Sequence, residues 1–149
     1  MPCSYRNLLK NSGFTRGLAP WTGSGIMRIH NPLREGDWAV LMNSPGDILK
    51  QIVQGPFETG CAYYLYFRAL NLSGPGAEFF ATVAWLDAGK RIIRSTPLQI
   101  LPPRTGNKWY SYFSIVPPPP RRAAYASVSF YHRAGAVLVD YIRLSSHDI

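Results

Sequence analysis

The feature that most limits the fold of this chain is its runs of alternating apolar and polar residues, separated by segments rich in proline and glycine. The runs are rich in aromatic and β-branched residues and cover 61–72, 78–96, 108–116 and 124–144. Such alternation places successive side chains on opposite faces of a β-strand. Gly89 and Gly135 lie inside two of the runs, and each predicts a hairpin there. Helix signals are nearly absent, so we predict an all-β protein.

The connecting segments support this interpretation because they contain residues that end strands. They read NPLREGDW, NSPGD, SGPGAE, LPPRTGN and VPPPPRR. The four prolines at 117–120 have two interpretations, a polyproline ligand or a stiff connection, and their strand-like flanks favour the connection. Short strands at this spacing are typical of a jelly-roll β-sandwich of two antiparallel sheets.

The length of the chain sets its organisation. With 149 residues, of which 46% are hydrophobic, we expect one domain over residues 1–149. No apolar run approaches the ~20 residues that span a bilayer, and the first residues lack the apolar core of a signal peptide. We therefore expect a soluble chain without a membrane span. Its location stays open between the cytoplasm, export by another route, and a place in a larger protein of the cell surface, spore or medium.

The charge of the chain is strongly basic. A net charge of +8 with a pI near 9.8 favours phosphate, anionic sugars or acidic surfaces as partners without specifying one of them. The basic residues are spread along the chain and never exceed pairs, such as Arg121-Arg122. No nucleic-acid recognition motif accompanies them, so we expect no sequence-specific binding of nucleic acid.

The two cysteines, Cys3 and Cys61, are too few for a zinc site, which needs about four ligands. A disulfide between them is possible. Two free thiols are favoured, because nothing else in the sequence indicates an oxidising compartment.

Six segments occur in an order that is familiar from one superfamily. They are NLLKNSGFTRGLAPWTGSG (7–25), ILKQIV (48–53), YYLYFRAL (63–70), VAWLDAGKRI (83–92), WYSYFSIVPPP (109–119) and VLVDYIRL (137–144). Over nearly its whole length the chain resembles the carbohydrate-binding modules of the galactose-binding-like jelly-roll type, which include the family 4 and family 22 xylan- and glucan-binding modules. It is also similar to an N-terminal domain that precedes collagen-like repeats in Gram-positive surface proteins. The resemblance implies that Phe14 and Trp21 are core residues that hold the first, irregular segment across the sandwich.

The resemblance also implies a structural calcium ion, bound near the start of the chain and by an aspartate of the last strand. Asp140 matches that aspartate. Thr15 and Tyr141 stand where these modules carry further acidic residues, and calcium prefers several carboxylate oxygens. We therefore expect weakened calcium binding, with Asp140 as the candidate metal ligand.

The candidate ligand site follows from the alternation in two of the runs. In residues 61–71 one face is apolar, and the opposite face carries tyrosines and an arginine. In residues 108–116 two tyrosines share one face, and Phe113 belongs to the other, which we predict to be buried. Aromatic rings and a cationic donor on one sheet are what a sugar-binding groove needs, although a contact between proteins or subunits uses the same residue types. The predicted ligand-binding cluster is Tyr64, Tyr66, Arg68, Tyr110 and Tyr112.

Catalytic signals are lacking. No two of the eight acidic residues can be placed together, and neither cysteine has an evident histidine partner. Trp85 is predicted to be a core residue, Trp38 to open a strand, and His132 to lie in solvent at a turn. Two hypotheses remain: a non-catalytic carbohydrate-binding module, or a structural or assembly module of a bacterial surface or spore coat that binds protein or forms a homo-oligomer.

Overall fold

The fold consists of β-strands joined by turns and loops. The computed structural model describes residues 3–104 and 108–148, and within them it contains ten strands and no helix. Those residues accordingly form no helix that is long and apolar enough to cross a membrane. The strands are β1 Thr22–Ser24, β2 Met27–His30, β3 Trp38–Met42, β4 Ile48–Gln54, β5 Cys61–Asn71, β6 Glu78–Leu86, β7 Ile92–Ile100, β8 Tyr110–Val116, β9 Tyr125–Ala134 and β10 Val137–Asp148.

The strands form two five-stranded sheets. Sheet A has the order β1-β4-β9-β6-β7, and sheet B has the order β2-β3-β10-β5-β8. Every neighbouring pair is antiparallel. The hairpin predicted at Gly89 is present as the antiparallel pair β6-β7. The hairpin predicted at Gly135 is wrong, because β9 belongs to sheet A and β10 to sheet B, so this turn carries the chain from one sheet to the other. The predicted β-sandwich of two antiparallel sheets is therefore confirmed.

The core lies between the inner faces of the two sheets. Burial alternates along β5, where Leu65 and Phe67 are buried and Tyr66 between them is partly exposed. Phe67 packs edge-to-face against Phe130 of sheet A, with ring centroids 5.1 Å apart. Trp85 is buried as predicted, and its Nε1 donates to the Pro117 carbonyl at 2.9 Å. The proline run at 117–120 joins β8 to β9, as the sequence indicated.

The segment before β1 runs beside the last strand. The Leu8 amide donates to the Leu144 carbonyl at 2.8 Å, and the Ile142 amide donates to the Ser12 carbonyl at 3.3 Å. Phe14 and Trp21 are buried with ring centroids 5.7 Å apart, which confirms their predicted packing role. Aromatic burial thus holds a segment whose glycines and prolines let the backbone turn sharply.

Cys3 and Cys61 form a disulfide and are both buried. The expectation of two free thiols is therefore wrong. The pairing is reached because the first residues fold back onto β5, a long-range contact that cysteine spacing does not reveal. The bond closes a loop between residues 58 positions apart and ties the start of the chain to sheet B.

Candidate functional site

The five predicted ligand-binding residues do not share one face of sheet B. In the β5-β8 register Tyr112 lies opposite Phe67, and Tyr110 lies opposite Ala69. Directly paired residues point to the same side of an antiparallel sheet. Because Phe67 and Ala69 are buried in the core, Tyr110 and Tyr112 belong to the inner side. The prediction that these two tyrosines join the outer tyrosines is wrong.

The outer face of sheet B instead carries the residues of β8 that were predicted to be buried. Phe113 lies opposite Tyr66 and Ile115 lies opposite Tyr64. Phe113 is 62% exposed and Ile115 is 67% exposed. Tyr64 stacks on Phe113 with centroids 5.0 Å apart. Strand β8 has aromatic residues on both faces, so the sequence shows the period of the alternation but not which face is buried.

Tyr112 is packed against the core at the edge of the sandwich. Its ring stacks on Phe67 at 5.2 Å, and its buried hydroxyl has no hydrogen-bond partner among the described residues. Burial raises the pKa of the Tyr112 phenol. By contrast, the Tyr66 hydroxyl lies 2.9 Å from the Ser111 hydroxyl on the outer face.

Arg68 is held by its neighbours on the outer face. Its guanidinium donates to Asp37 at 2.9 Å and to Asp140 at 3.1 Å. The guanidinium also lies 3.9 Å from the Tyr141 ring centroid and 4.9 Å from that of Trp109. Two carboxylates therefore do come together, contrary to the sequence-based expectation, and a half-buried arginine joins them. These contacts fix the position of the Arg68 guanidinium on the outer face of sheet B.

The residues around Asp140 do not fit a calcium ion. Asp140 Oδ2 accepts from Arg68, and its buried Oδ1 has no partner in the described part of the chain. The carbonyls of Phe14 and Thr15 accept from the Arg28 guanidinium at 2.7 and 3.1 Å. Residues 3–104 and 108–148 hold no group of three or more His, Cys, Asp or Glu that could bind a metal. Asp140 and the neighbouring Asp37 both pair with Arg68, and the two backbone carbonyls pair with Arg28, so the site lacks the free, oxygen-rich donor set that calcium requires.

The environment of Asp140 also disfavours its charged form. Its side chain is fully buried, and this burial raises the pKa of Asp140 to about 6, although the hydrogen bond from Arg68 opposes the effect. A second carboxylate, Asp37, shares the same arginine and adds to the increase. The network therefore holds its full charge only above that pKa.

A groove with a volume of about 550 Å³ crosses the outer face of sheet A. The register aligns Lys50 of β4 with Ser129 of β9 and Thr82 of β6. The next outward row aligns Ile52 with Ser127 and Ala84. The small side chains of β6 and β9 form a floor, and longer side chains of β4 and the β6-β7 hairpin stand at its sides. The lining residues are Ile48, Lys50, Ile52, Thr82, Ala84, Leu86, Lys90, Ile92, Ser95, Ser127, Ser129 and Tyr131.

One end of the groove is held by a tight loop before β4. Asp47 accepts from the amides of Asn43 and Ser44, both at 3.0 Å, and fixes the chain where β4 begins. Gly25 has a φ of 75°, and a Cβ at that position would collide with the Asp47 carboxylate. The prediction of a solvated His132 is wrong, because His132 is fully buried beside this loop and its Nε2 lies 2.6 Å from the Gly135 carbonyl.

Sequence reasoning missed this groove, although β9 contained a signal. The strand reads YASVSFY from residue 125 and alternates Tyr or Ser with Ala, Val or Phe. A hydroxyl on every second residue of a central strand predicts a polar outer face. This signal is weak, because small hydroxyl residues are common on strands and do not by themselves specify a ligand.

Comparison with solved structures places this architecture among known domains. An enzymatically active domain of tailspike protein 4 from bacteriophage CBA120 has a TM-score of 0.76 at 18% identity over 94% of this chain, which spans 21% of that chain. TmCBM61, solved with β-1,4-galactotriose, has a TM-score of 0.62 at 22% identity over 93% of this chain and 97% of its own. The CBM22-1 xylan-binding domain of Paenibacillus barcinonensis Xyn10C has a TM-score of 0.68 at 12% identity, with coverage of 100% and 99%.

The comparisons by sequence gave a different result. No family model and no curated protein matches this chain. The similarity is therefore one of fold, and it extends over whole modules in the last two cases, whereas the chain is a fraction of the tailspike domain. The family resemblance seen in the sequence is therefore confirmed for the fold: the chain has the jelly-roll fold that carbohydrate-binding modules have.

Proposed function

We propose that this chain is a non-catalytic carbohydrate-binding module whose ligand lies in the groove on sheet A. The observation that carries the proposal is the groove itself, which combines a hydroxyl-bearing floor with apolar and aromatic side chains at its edges. Structural neighbours of the same size include a module solved with a galactotriose and a xylan-binding domain, which supports a glycan as the ligand.

The chemistry of the groove suits a sugar chain. Ser127, Ser129 and Thr82 present hydroxyls that both donate and accept hydrogen bonds, as sugar hydroxyls do. Tyr131 is 45% exposed and offers a ring for the apolar C–H face of a pyranose. The groove is open to solvent and spans strands β4, β9 and β6 instead of forming a closed pocket, and this shape suits an oligosaccharide more than a single sugar.

The absence of catalysis is part of the proposal. The two carboxylates that come together, Asp37 and Asp140, both accept from Arg68, and neither lines the groove on sheet A. A glycosidase places two carboxyl groups on either side of the bond that it cleaves. No acidic residue lines this groove.

A matched pair of variants tests the site. Ser129→Trp fills the floor of the groove, whereas Ser111→Trp adds the same ring to the exposed outer face of sheet B. On a glycan array, we expect Ser129→Trp to abolish the binding that the wild type shows and Ser111→Trp to retain it. Thermal melting must show both variants folded. Loss of binding in Ser111→Trp alone would move the site to sheet B.

The exposed strip on sheet B favours a second candidate function, contact with protein. Phe113 and Ile115 are the most exposed large residues of β8, and β8 is an edge strand. Aromatic and apolar residues at an edge are typical of interfaces. Tyr64 and Tyr66 lie beside them, so in this second candidate function the two tyrosines contact a protein partner instead of a sugar. Sedimentation velocity of Phe113→Ser and wild type measures whether the strip mediates self-association.

A further inference from the structure

We infer that the glycan bound in the groove of sheet A is acidic, with carboxylate or sulfate groups on its sugars. This inference rests on the proposed function and adds the class of ligand. It follows from the charges that line the groove. Lys50 and Lys90 line it, and no aspartate or glutamate does.

The basic surface continues beyond the groove. A second cavity, of about 330 Å³, lies along β4 and the N-terminal segment and is lined by Arg6 and Lys10. Ile52 lines both cavities, so they adjoin across β4. The second cavity also contains no acidic residue. A ligand that leaves the groove over Ile52 therefore meets further cations.

These lysines are not neutralised by neighbouring carboxylates. In the described residues the ion pairs join Arg68 to Asp37 and Asp140, and Arg91 to Asp87. None of them involves Lys10, Lys50 or Lys90. Cations concentrated in a groove without counter-charges raise the local concentration of anionic ligands. The charge complementarity of the site therefore favours an acidic partner.

Asp47 and Asp87 follow or precede lining residues in the chain, and no ion pair of the described residues joins either of them to Lys50 or Lys90. Asp47 accepts from backbone amides of its own loop, and Asp87 accepts from the Gly89 and Arg91 amides in the β6-β7 turn. Glu78 accepts a hydrogen bond from Gln99 and lies opposite Ala134, beyond the end of the groove that Tyr131 lines. Arg6 also lines a third cavity that includes Glu58, so Lys10 is the less compensated cation of the second cavity. Lys10, Lys50 and Lys90 therefore carry the positive charge that no ion pair of the described residues offsets.

The placement of the two groove lysines indicates an extended ligand. Lys50 lies level with Thr82 in the sheet, whereas Lys90 follows Leu86 at the end of β6. Leu86 is four residues beyond Thr82, so the two lysines are separated by about 13 Å along the strand direction. Two strand spacings of about 4.8 Å also separate β4 from β6 across the sheet. Charges at opposite corners of the groove match anionic groups on different sugars of one chain.

A nucleic acid is the main competing polyanion, and the groove suits it less well. Proteins that bind single strands stack successive bases on several aromatic side chains. Tyr131 is the one aromatic residue among those that line the groove. The floor carries serine and threonine hydroxyls instead, which form hydrogen bonds with sugar hydroxyls but do not stack on nucleobase rings.

The test compares one ligand in charged and neutral forms. Isothermal titration at about 0.15 M ionic strength, where the Debye length is about 8 Å, limits long-range attraction. The probes are oligogalacturonate, its methyl ester, a heparin oligosaccharide and single-stranded DNA. The variants are Lys50→Gln and, as a matched control on the other side of the molecule, Lys108→Gln, which lies near Tyr110. Each variant removes one positive charge from the net +8.

We expect the wild type to bind oligogalacturonate or heparin at least about tenfold more tightly than the methyl ester. Lys50→Gln should weaken acidic-glycan binding by about tenfold, the effect of one charge-assisted hydrogen bond, and Lys108→Gln should change it less than twofold. Preference for galacturonate indicates carboxylate as the recognised group, and preference for heparin indicates sulfate.

Three results would overturn the inference. Equal binding of oligogalacturonate and its methyl ester would show that the groove does not select an acidic glycan. If Ser129→Trp then abolished that binding, the proposed function would still stand. Equal weakening by both lysine variants would assign the binding to net charge. Tighter binding of DNA, with loss in Lys50→Gln, would assign the groove to nucleic acid. If no glycan of any kind binds, the proposed function itself fails.

Discussion

The outer faces of the two sheets have the same alternating strand pattern but different surfaces. On sheet A the central strands β9 and β6 carry small side chains outward, which leaves a groove with a hydroxyl floor. On sheet B the central strands β10 and β5 carry Asp140 and Arg68 outward, and Tyr141 and Trp109 cover the ion pair. Small residues at the centre of a sheet leave room for a ligand, whereas a covered charge network uses that room for structure.

Removing the disulfide is expected to cause the largest loss of stability, and it tests how much the fold depends on the attachment of the N-terminal segment. Replacing Cys3 and Cys61 with serine removes a cross-link between residues 58 positions apart, and the chain-entropy model gives a loss of about 4 kcal/mol. Chemical denaturation with and without reductant measures this loss in the wild type. A change below about 1 kcal/mol would show that the hydrogen bonds to β10 and Gln51 hold the segment alone.

A pair of charge removals compares the two faces directly. Arg68→Met leaves Asp37 and the fully buried Asp140 without their cation, and breaking such a pair costs about 3 kcal/mol or more. Lys50→Met removes a cation that has no ion pair in the described residues and should change the free energy of unfolding by less than about 0.5 kcal/mol. Urea denaturation of both variants checks the difference. Similar losses would contradict the division into a structural face and a ligand face.

The sequence predicted the fold better than the site. Period-two patterns and the proline and glycine turns located the strands, because both signals are local. Register is not local, and Phe113 and Tyr112 are both aromatic, so only pairing with Phe67 shows which one faces the core. The Cys3–Cys61 bond and the Asp37–Arg68–Asp140 network depend on contacts far apart in the chain. Small residues such as Ser129 form a groove only when neighbouring strands align them, and sequence spacing does not show this.

The pH dependence of stability tests the network of sheet B. The pKa of Asp140 is raised from 3.8 to about 6, so the folded chain binds this proton more tightly than the unfolded chain. Its contribution to stability is therefore present below about pH 4 and lost as the pH rises to about 6, with a total of about 2 to 3 kcal/mol. The lowered pKa values of Asp87 and Asp148 act in the opposite direction and destabilise the fold in stronger acid.

The variant Asp140→Asn isolates this contribution. It should flatten the fall in stability between about pH 4 and pH 6, measured as the change in urea midpoint across a pH series. Lys50→Met serves as the control and should keep the wild-type profile, because the groove lacks a carboxylate. A profile for Asp140→Asn that matches the wild type would mean that another group titrates.

The smallest effect on stability is expected from two exposed aromatic residues, one on each face. Tyr131 is 45% exposed and Phe113 is 62% exposed, so replacing either with alanine should cost about 0.5 kcal/mol or less. Their effects on binding should differ. Tyr131→Ala removes the one ring in the groove and should weaken glycan binding by about 1 to 2 kcal/mol, as loss of an aromatic anchor does. Phe113→Ala should leave glycan binding unchanged and reduce any self-association, measured by sedimentation. If instead Phe113→Ala weakens glycan binding and Tyr131→Ala does not, the aromatic strip of sheet B is the sugar site, because only the removed ring differs between two equally stable variants.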